Sequence, residues 1–359
     1  MKIDTVIRAD TVLLHSQDSK RQTEVCMEKS EWTIPDLLQL SGSYWGVCSL
    51  HAGVRLDVFT ALNGVTRSAV EVAAACSCDS RAMEMLLNAL TSQGLLEKDS
   101  GGYRNTPFSA HNLVKGEPGY LGHIILHHHH LMPGWAHLHK AVINGGPVGR
   151  DFPQEDEAAE RESFLMGMFN LASQLAPRIA ASVDLTGFHR LLDFGGGPGT
   201  YAIHFCRQNP DLGAVVYDLP SSRAFAEDVI TRYGLGDRIS FASGNYHLDP
   251  GPTGFDVAWL SHILHAEGPE GCQTILRKAV EALHPGGKLL VQEFILNDAK
   301  DGPSFPALFS LNMLLVTSSG RSYSEIELRG MMEEAGLSDI RRLAIDLPNG
   351  AGIMVGTAG

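Results

Sequence analysis

The sequence predicts an α/β protein: a Rossmann-like sheet in the C-terminal half, preceded by an N-terminal, mainly α domain of winged-helix order. Three observations carry this. Residues 190–199, RLLDFGGGPG, run an apolar strand through Asp193 into Gly195, Gly196, Gly197 and Gly199, and a helical stretch, TYAIHFCRQNP, follows. Strand, glycine turn and helix set a ligand against unpaired backbone N–H groups at a helix start. From Leu191 onward, short apolar runs alternate with helical segments, the pattern of a parallel sheet with crossovers. Before them, two helical segments lead into a short hairpin, LLEKDSGGYRNTP.

The glycine spacing narrows the ligand. A dinucleotide fingerprint needs a small residue three places after its second glycine, but Thr200 holds that place after Gly197, and the glycines read G-x-G-x-G. That favours a ligand without a pyrophosphate; the plainer reading is a tight turn capped by Asp193. The expected strands are RLLDF, GAVVYDL, ISFASG, FDVAWLS, KLLVQEFIL and a closing GIMVGTA. Asp193, Asp218, Asn245, His265 and Glu293 fall at or just past successive strand ends, the edge where open α/β sheets bind ligands.

The N-terminal half reads as helical from Ile34 to about Pro107, with YWGVCSLHAGVRLDVFTAL at helical spacing and a second helix capped by Asp79 or Ser80 and stopped at Gly94. That second helix offers Arg81 beside Glu84 among apolar residues, a poor set for reading base edges. With a net charge of −13, nucleic acid is not an expected partner. The first thirty residues have no clear period and suggest a loosely ordered or docking arm. No apolar run reaches the ~18 residues of a membrane span, and no signal peptide is evident, so the expected location is the cytoplasm without membrane attachment. The six cysteines form no C-x-x-C pair and are expected as free thiols.

Residues 119–143 suggest a helical connector loaded with histidine, in which His123, His127 and His130 share a face until Pro133 and Gly134 break the helix. Three such histidines can bind metal, but no acidic or cysteine ligand lies nearby. They are therefore expected as a polar face or a pocket lining, with no metal. The helix that follows carries Met166, Met168 and Asn170, facing ligand or core.

Asp218 lies 25 residues after Asp193, close to the distance at which an acidic side chain meets ribose hydroxyls; it also suits the N-cap of a helix opened by Pro220. Asn245 can bond an adenine amine and Tyr246 can cover its face, or GNYHLDP is simply a turn-rich loop. His262 and His265 sit three apart on the helix expected after the fourth strand, with His265 facing Glu293 across one strand.

These residues resemble the S-adenosylmethionine-dependent methyltransferase family that includes plant caffeic acid and hydroxyindole O-methyltransferases and bacterial natural-product enzymes. The resemblance runs from about Leu37 to the C-terminus and rests on LLDFGGGPGT, VVYDLP, LSHILH, LHPGGKLLVQE and GRSYSEIELRGMMEEAGL. It implies a homodimer through an N-terminal winged-helix domain (1–115), a connector lining the substrate pocket (116–185) and a catalytic domain that binds S-adenosyl-L-methionine (186–359). It also implies that Asp193, Gly195 and Gly197 hold the amino acid end of the cofactor, Asp218 with Leu219 the ribose, and Asn245 with Tyr246 the adenine. Ser261 completes that set. His265 falls on the family's general base and Glu293 on one of the two acids that orient it. His127, His130, Trp135, Met166, Met168, Asn312 and Met313 are the expected acceptor contacts.

Three departures stand out. Ala266 and Glu267 follow the base where the family has Asp and Trp, Ser322 replaces the second orienting Glu, and Asn245 replaces an Asp. The expected activity is methyl transfer to a hydroxyl of a small aromatic or polycyclic metabolite. The alternatives are a carbon or nitrogen methyltransferase acting by positioning alone, a non-methylating relative, or a ligand-sensing winged-helix regulator.

Overall fold

The computed structural model describes residues 31–148 and 157–359, with backbone only for 157–162. The expected N-terminal arm and Cys26 lie outside the described residues. Met1–Tyr44 and Trp45–Gly359 are separate units. The described part of the first is helix α1 (Ile34–Gly42), opened by a reciprocal Thr33–Asp36 capping box and exposing Ile34, Leu37, Leu38 and Leu40.

The single helix expected over 44–62 is two, α2 (Tyr44–Arg55) and α3 (Val58–Ala61), because Asp57 takes a left-handed conformation (φ 58°) between them. Helices α4 (Ala69–Ala75) and α5 (Ser80–Ser92) follow, and Asp79 caps α5 by accepting the Ala82 N–H at 2.8 Å. The antiparallel hairpin β1 (Leu96–Asp99) and β2 (Gly102–Asn105) then closes a small core of Val54, Phe59, Leu62, Leu87 and Leu90.

After α6 (Pro107–Asn112), the connector forms α7 (Gly122–Ala136) and α8 (Leu138–Asn144). Pro133 does not break α7, contrary to expectation. It removes one backbone donor from a helix that runs less than one further turn. The long α9 (Glu157–Ser182) packs closely on α7, where a Cβ added at Gly167 would lie 3.1 Å from the Ile124 Cα.

The C-terminal half alternates β3 (Arg190–Phe194), α10 (Thr200–Gln208), β4 (Gly213–Asp218), α11 (Arg223–Arg232), β5 (Ile239–Ser243), β6 (Phe255–Ser261), α12 (Pro269–Glu281), β7 (Leu283–Leu296) and α13 (Ser304–Val316). A two-residue strand β8 (Tyr323–Ser324), α14 (Glu325–Glu334), β9 (Leu337–Arg342) and β10 (Ala351–Ala358) complete it. The eight-stranded sheet runs β5-β4-β3-β6-β7-β10-β9, with β8 paired to β7. Both faces are covered: Leu191 joins the core of Ile179, Val216 and Trp259, while Leu192 joins that of Leu260, Ile275 and Leu289.

The closing strand departs from the expected parallel sheet. β10 runs antiparallel to β7 and to β9, since the short link after β9 permits only a reversal. β9, LSDIRR, is a largely exposed edge strand and lacks the apolar run that marks the others. The chain winds outward from β3 through β4 to β5 and then returns to β6, so the strand order reverses between β3 and β6, which places a crevice there. Among the described residues, no helix is long and apolar enough to cross a membrane. The described cysteines, Cys48, Cys76, Cys78, Cys206 and Cys272, are free thiols.

Candidate active site

On one side of the reversal the site is made of backbone. Gly195, Gly197 and Gly199 take left-handed conformations (φ 70°, 51° and 76°) that a side chain would strain. A Cβ at Gly197 would meet nothing within 4 Å, so the loop presents a bare, open surface there. A Cβ at Gly196 would strike the Asp193 carboxyl at 2.5 Å. Asp193 is therefore beneath the loop and not at its rim: it is 1% exposed, and Oδ2 accepts the Ala202 N–H at 3.2 Å. Burial pushes its carboxyl up to about 7.

Asp218, at the end of β4, anchors the glycine loop but does not cap the following helix, whose N-cap is Leu219 without a side-chain capping bond. Its Oδ2 accepts the Gly197 N–H at 2.8 Å, and its Oδ1 accepts the Leu219 N–H at 2.6 Å and the Ser222 hydroxyl at 2.9 Å. A carboxylate accepts about four hydrogen bonds, so capacity for one further hydroxyl remains. Asn245 is held in a turn: its Oδ1 accepts the His247 N–H at 2.8 Å and its own N–H donates to Asp249 Oδ2 at 2.8 Å. Tyr246 is half-buried, with its ring 6.1 Å from Phe194, and burial pushes its hydroxyl up to about 12. Leu219 is exposed, and Ser261 donates to Gln292 Oε1 at 3.3 Å.

On the other side the site is made of side chains. His265 lies on a 3₁₀ turn (Leu264–Ala266) after β6, not on an α-helix, and His262 is left-handed (φ 57°). His265 Nδ1 is 2.8 Å from Glu293 Oε2, and its backbone N–H donates to Glu293 Oε1 at 3.3 Å. Glu293 is 2% exposed. Burial alone would raise its carboxyl, but His265 and then His262 outweigh this and hold it well below the usual carboxylate range. An ionised carboxylate only accepts, so His265 Nδ1 is the donor and the neutral ring carries its lone pair on Nε2.

The loop before β8 presses on this turn, for a Cβ at Gly320 would lie 2.4 Å from the His265 carbonyl oxygen. Ser322 is 2% exposed; its N–H donates to Ser310 Oγ at 3.1 Å, and its own Oγ has no partner among the described residues. Glu267 Oε1 meets His247 Nε2 at 2.8 Å, joining the loop after β5 to the turn after β6.

An aromatic wall stands beside His265. Phe309 stands edge-on to His265 with ring centres 4.8 Å apart, and Phe294 lies 4.9 Å from Phe309 and 4.8 Å from Phe305. Phe305, Phe309 and Asn312 share one face of α13, and the Trp135 indole N–H donates to Asn312 Oδ1 at 3.1 Å. Two expected acceptor contacts are thus brought together on the α13 face that carries Phe309. Met313 is buried, Met166, Met168 and His130 are half-buried, and His127 stands edge-on to Phe164 at 5.3 Å. The three phenylalanines were not anticipated; the i, i+4 spacing of Phe305 and Phe309 was the available signal.

Two family models match this chain: an O-methyltransferase domain over residues 135–338 and an O-methyltransferase dimerisation domain over residues 38–115. The chain is 36% identical to 3-hydroxy-5-methyl-1-naphthoate 3-O-methyltransferase of Streptomyces sahachiroi, over 89% of this chain and 94% of that protein. It is 31% identical to the tetracenomycin polyketide synthesis 8-O-methyl transferase TcmO of Streptomyces glaucescens, over 88% and 94%. Human N-acetylserotonin methyltransferase in complex with SAM superposes with a TM-score of 0.82 at 25% identity, covering 93% of this chain and 100% of that one. The bare glycine surface at Gly197 and the remaining acceptor capacity of Asp218 fit a ligand of that kind. The chain belongs to the S-adenosylmethionine-dependent O-methyltransferase family.

Proposed function

We propose that this protein methylates a hydroxyl of a small aromatic or polycyclic metabolite, with His265 as general base. The observation that carries this is the His265–Glu293 pair at 2.8 Å, set within an aromatic wall. Bound S-adenosylmethionine supplies an electrophilic methyl group on a sulfonium centre. His265 Nε2 takes the proton from the acceptor hydroxyl, and Glu293 fixes the ring and favours the imidazolium that forms. A phenol of pKa ~10 is little ionised at neutral pH, so this proton transfer is worth on the order of 10² to 10⁴ in rate. Phe294, Phe305 and Phe309 hold a flat acceptor beside the base and exclude water, while Trp135, Asn312, Met166, Met168, Met313, His127 and His130 supply the remainder of its surroundings.

In the same reading, Gly195 and Gly197 carry the amino acid end of the cofactor and Asp193 supports their loop from below. Asp218 with Leu219 takes the ribose, Asn245 and Tyr246 the adenine, and Ser261 the crevice floor. Residues 1–115 form a dimerising winged-helix domain, 116–185 the connector and 186–359 the catalytic domain, working in the cytoplasm as a homodimer. Light scattering should give twice the chain mass of 38.8 kDa.

Ser322, in place of a second carboxylate, favours one other reading: methylation of carbon or nitrogen by positioning without a base. Single-turnover transfer separates the two. His265→Ala should bind the cofactor as wild type does while slowing transfer at least ~10²-fold, and Glu293→Gln should cost less. A His265→Ala rate within a few-fold of wild type would move the acceptor to carbon or nitrogen.

A further inference from the structure

His262, beside the base, has no part in the proton transfer just described. It is left-handed (φ 57°), its backbone N–H donates to the Gln292 carbonyl at 2.9 Å, and its ring lies 4.3 Å from that of Phe294. Its Nδ1 is buried without a hydrogen-bond partner, 3.7 Å from the same Glu293 Oε2 that His265 Nδ1 approaches to 2.8 Å. At 3.7 Å the two atoms are too far apart for a hydrogen bond. They are well spaced for two ligands of one ion, because zinc–ligand bonds of about 2.0–2.1 Å put neighbouring ligand atoms roughly 3.3 Å apart in a tetrahedron. The distances of 2.8 and 3.7 Å bracket that value. His262, His265 and Glu293 are the only group of three such side chains among the described residues, with ligand atoms all within 4.8 Å.

We propose that His262, His265 and Glu293 form a site for a divalent transition-metal ion, zinc above all, and that its binding switches the base off. Two imidazoles and one carboxylate are the protein ligands of open zinc sites, and they leave a fourth position for water. The effect on the base follows from proton counting. In the active state Nδ1–H of His265 donates to Glu293 and Nε2 holds the lone pair. A metal on Nδ1 takes that nitrogen's lone pair, so the single proton of the neutral ring must sit on Nε2. No proton is gained or lost overall, but the atom that accepted the acceptor's proton now carries one. The ion also occupies Glu293 and removes the carboxylate that favours the imidazolium. Metal binding and base catalysis are therefore exclusive uses of the same three side chains.

This rests on His265 being the base, so the test reads binding and rate separately. Chelator-treated, full-length protein is titrated with Co²⁺ while its visible ligand-field absorption is followed, and methyl transfer is measured in buffered Zn²⁺. The band expected in wild type should be lost in His262→Asn, a substitution that tolerates the left-handed backbone. Zinc should inhibit wild type. Its half-inhibiting concentration should rise at least tenfold in His262→Asn, no less than the ~10–100-fold cost of a lost outer-shell partner. Each protein is compared with its own metal-free rate, so a changed basal rate does not enter. Equal zinc sensitivity in the two proteins, or identical cobalt spectra, would overturn the site. Cobalt binding that depends on His262 without zinc inhibition would uphold the site and count against the base. If His262→Asn does not fold, the cobalt titration of Glu293→Gln decides.

Discussion

The two sides of the crevice are built differently. The proposed cofactor side, from the end of β3 to the loop after β5, is largely backbone: left-handed glycines, and one aspartate that accepts from two N–H groups and the Ser222 hydroxyl. The proposed base side, after β6 and β7, is side chain upon side chain, gathered from β7, α13 and α7. A site made of backbone tolerates little change, because every φ angle is part of it. One made of packed side chains can be recut residue by residue, which suits a fold that keeps its donor while its acceptor varies.

The largest effect expected from this contrast is on the cofactor side. Asp218→Ala removes the acceptor for the Gly197 N–H and, on the proposed reading, a charge-assisted ribose bond worth roughly 1.5–3 kcal/mol, or about 10- to 150-fold in cofactor affinity. Gly197→Val should match it from the opposite direction, placing a side chain on open surface at a strained φ of 51°. Calorimetry on both variants checks this. Wild-type affinity in either, with folding intact, would break the division between the two sides.

The same contrast explains what could be read in the sequence. A glycine turn is local: ten consecutive residues contain the strand, the loop and the helix start, and five of the six expected strands lie within a residue or two of their observed bounds. β7 begins earlier than KLLVQEFIL suggested, and β9 was missed because an exposed edge strand has no apolar run. The aromatic wall is not local. Phe294 and Phe309 come from a strand and a helix, and Trp135 reaches Asn312 across 177 residues of chain, so no spacing rule could pair them. His265 and its partner Glu293 were legible as residue types at neighbouring strand ends; the partner atom and the tautomer follow from the buried carboxylate.

A smaller effect should separate base placement from base chemistry. Gly320→Ala would set a Cβ 2.4 Å from the His265 carbonyl oxygen and 2.8 Å from the Ala266 carbonyl carbon, so one of the two backbones must shift. Misplacement approaching 1 Å can cost up to 10²-fold. A fall in kcat of about tenfold is expected, with cofactor affinity unchanged. Weakened cofactor binding in this variant would mean that the two sides are coupled through the turn after β6.

The smallest expected effect runs against the usual sense of an active-site substitution. Asp193 is buried beneath the glycine loop with its carboxyl pushed up to about 7, against an ordinary 3.8. Below the ordinary value both folded and unfolded chains hold the proton, and the residue carries no penalty. As pH rises toward 7 the unfolded chain releases its proton and the folded chain does not, so folding stability falls through that window and then levels. The loss integrates to on the order of 4 kcal/mol as an upper bound. Asp193→Asn keeps an oxygen for the Ala202 N–H and abolishes the titration. The variant should therefore melt with wild type at pH 4 and several degrees above it at pH 8, when both are measured without cofactor. Its cofactor affinity should fall a few-fold, because the amide offers the loop one acceptor atom where the carboxylate offers two. Higher stability with weaker binding would mean that the cofactor side is held at a cost to the fold. A lower melting temperature at pH 8 would instead show that the hydrogen bond from the Ala202 N–H outweighs the burial of this carboxyl, leaving it ionised at neutral pH.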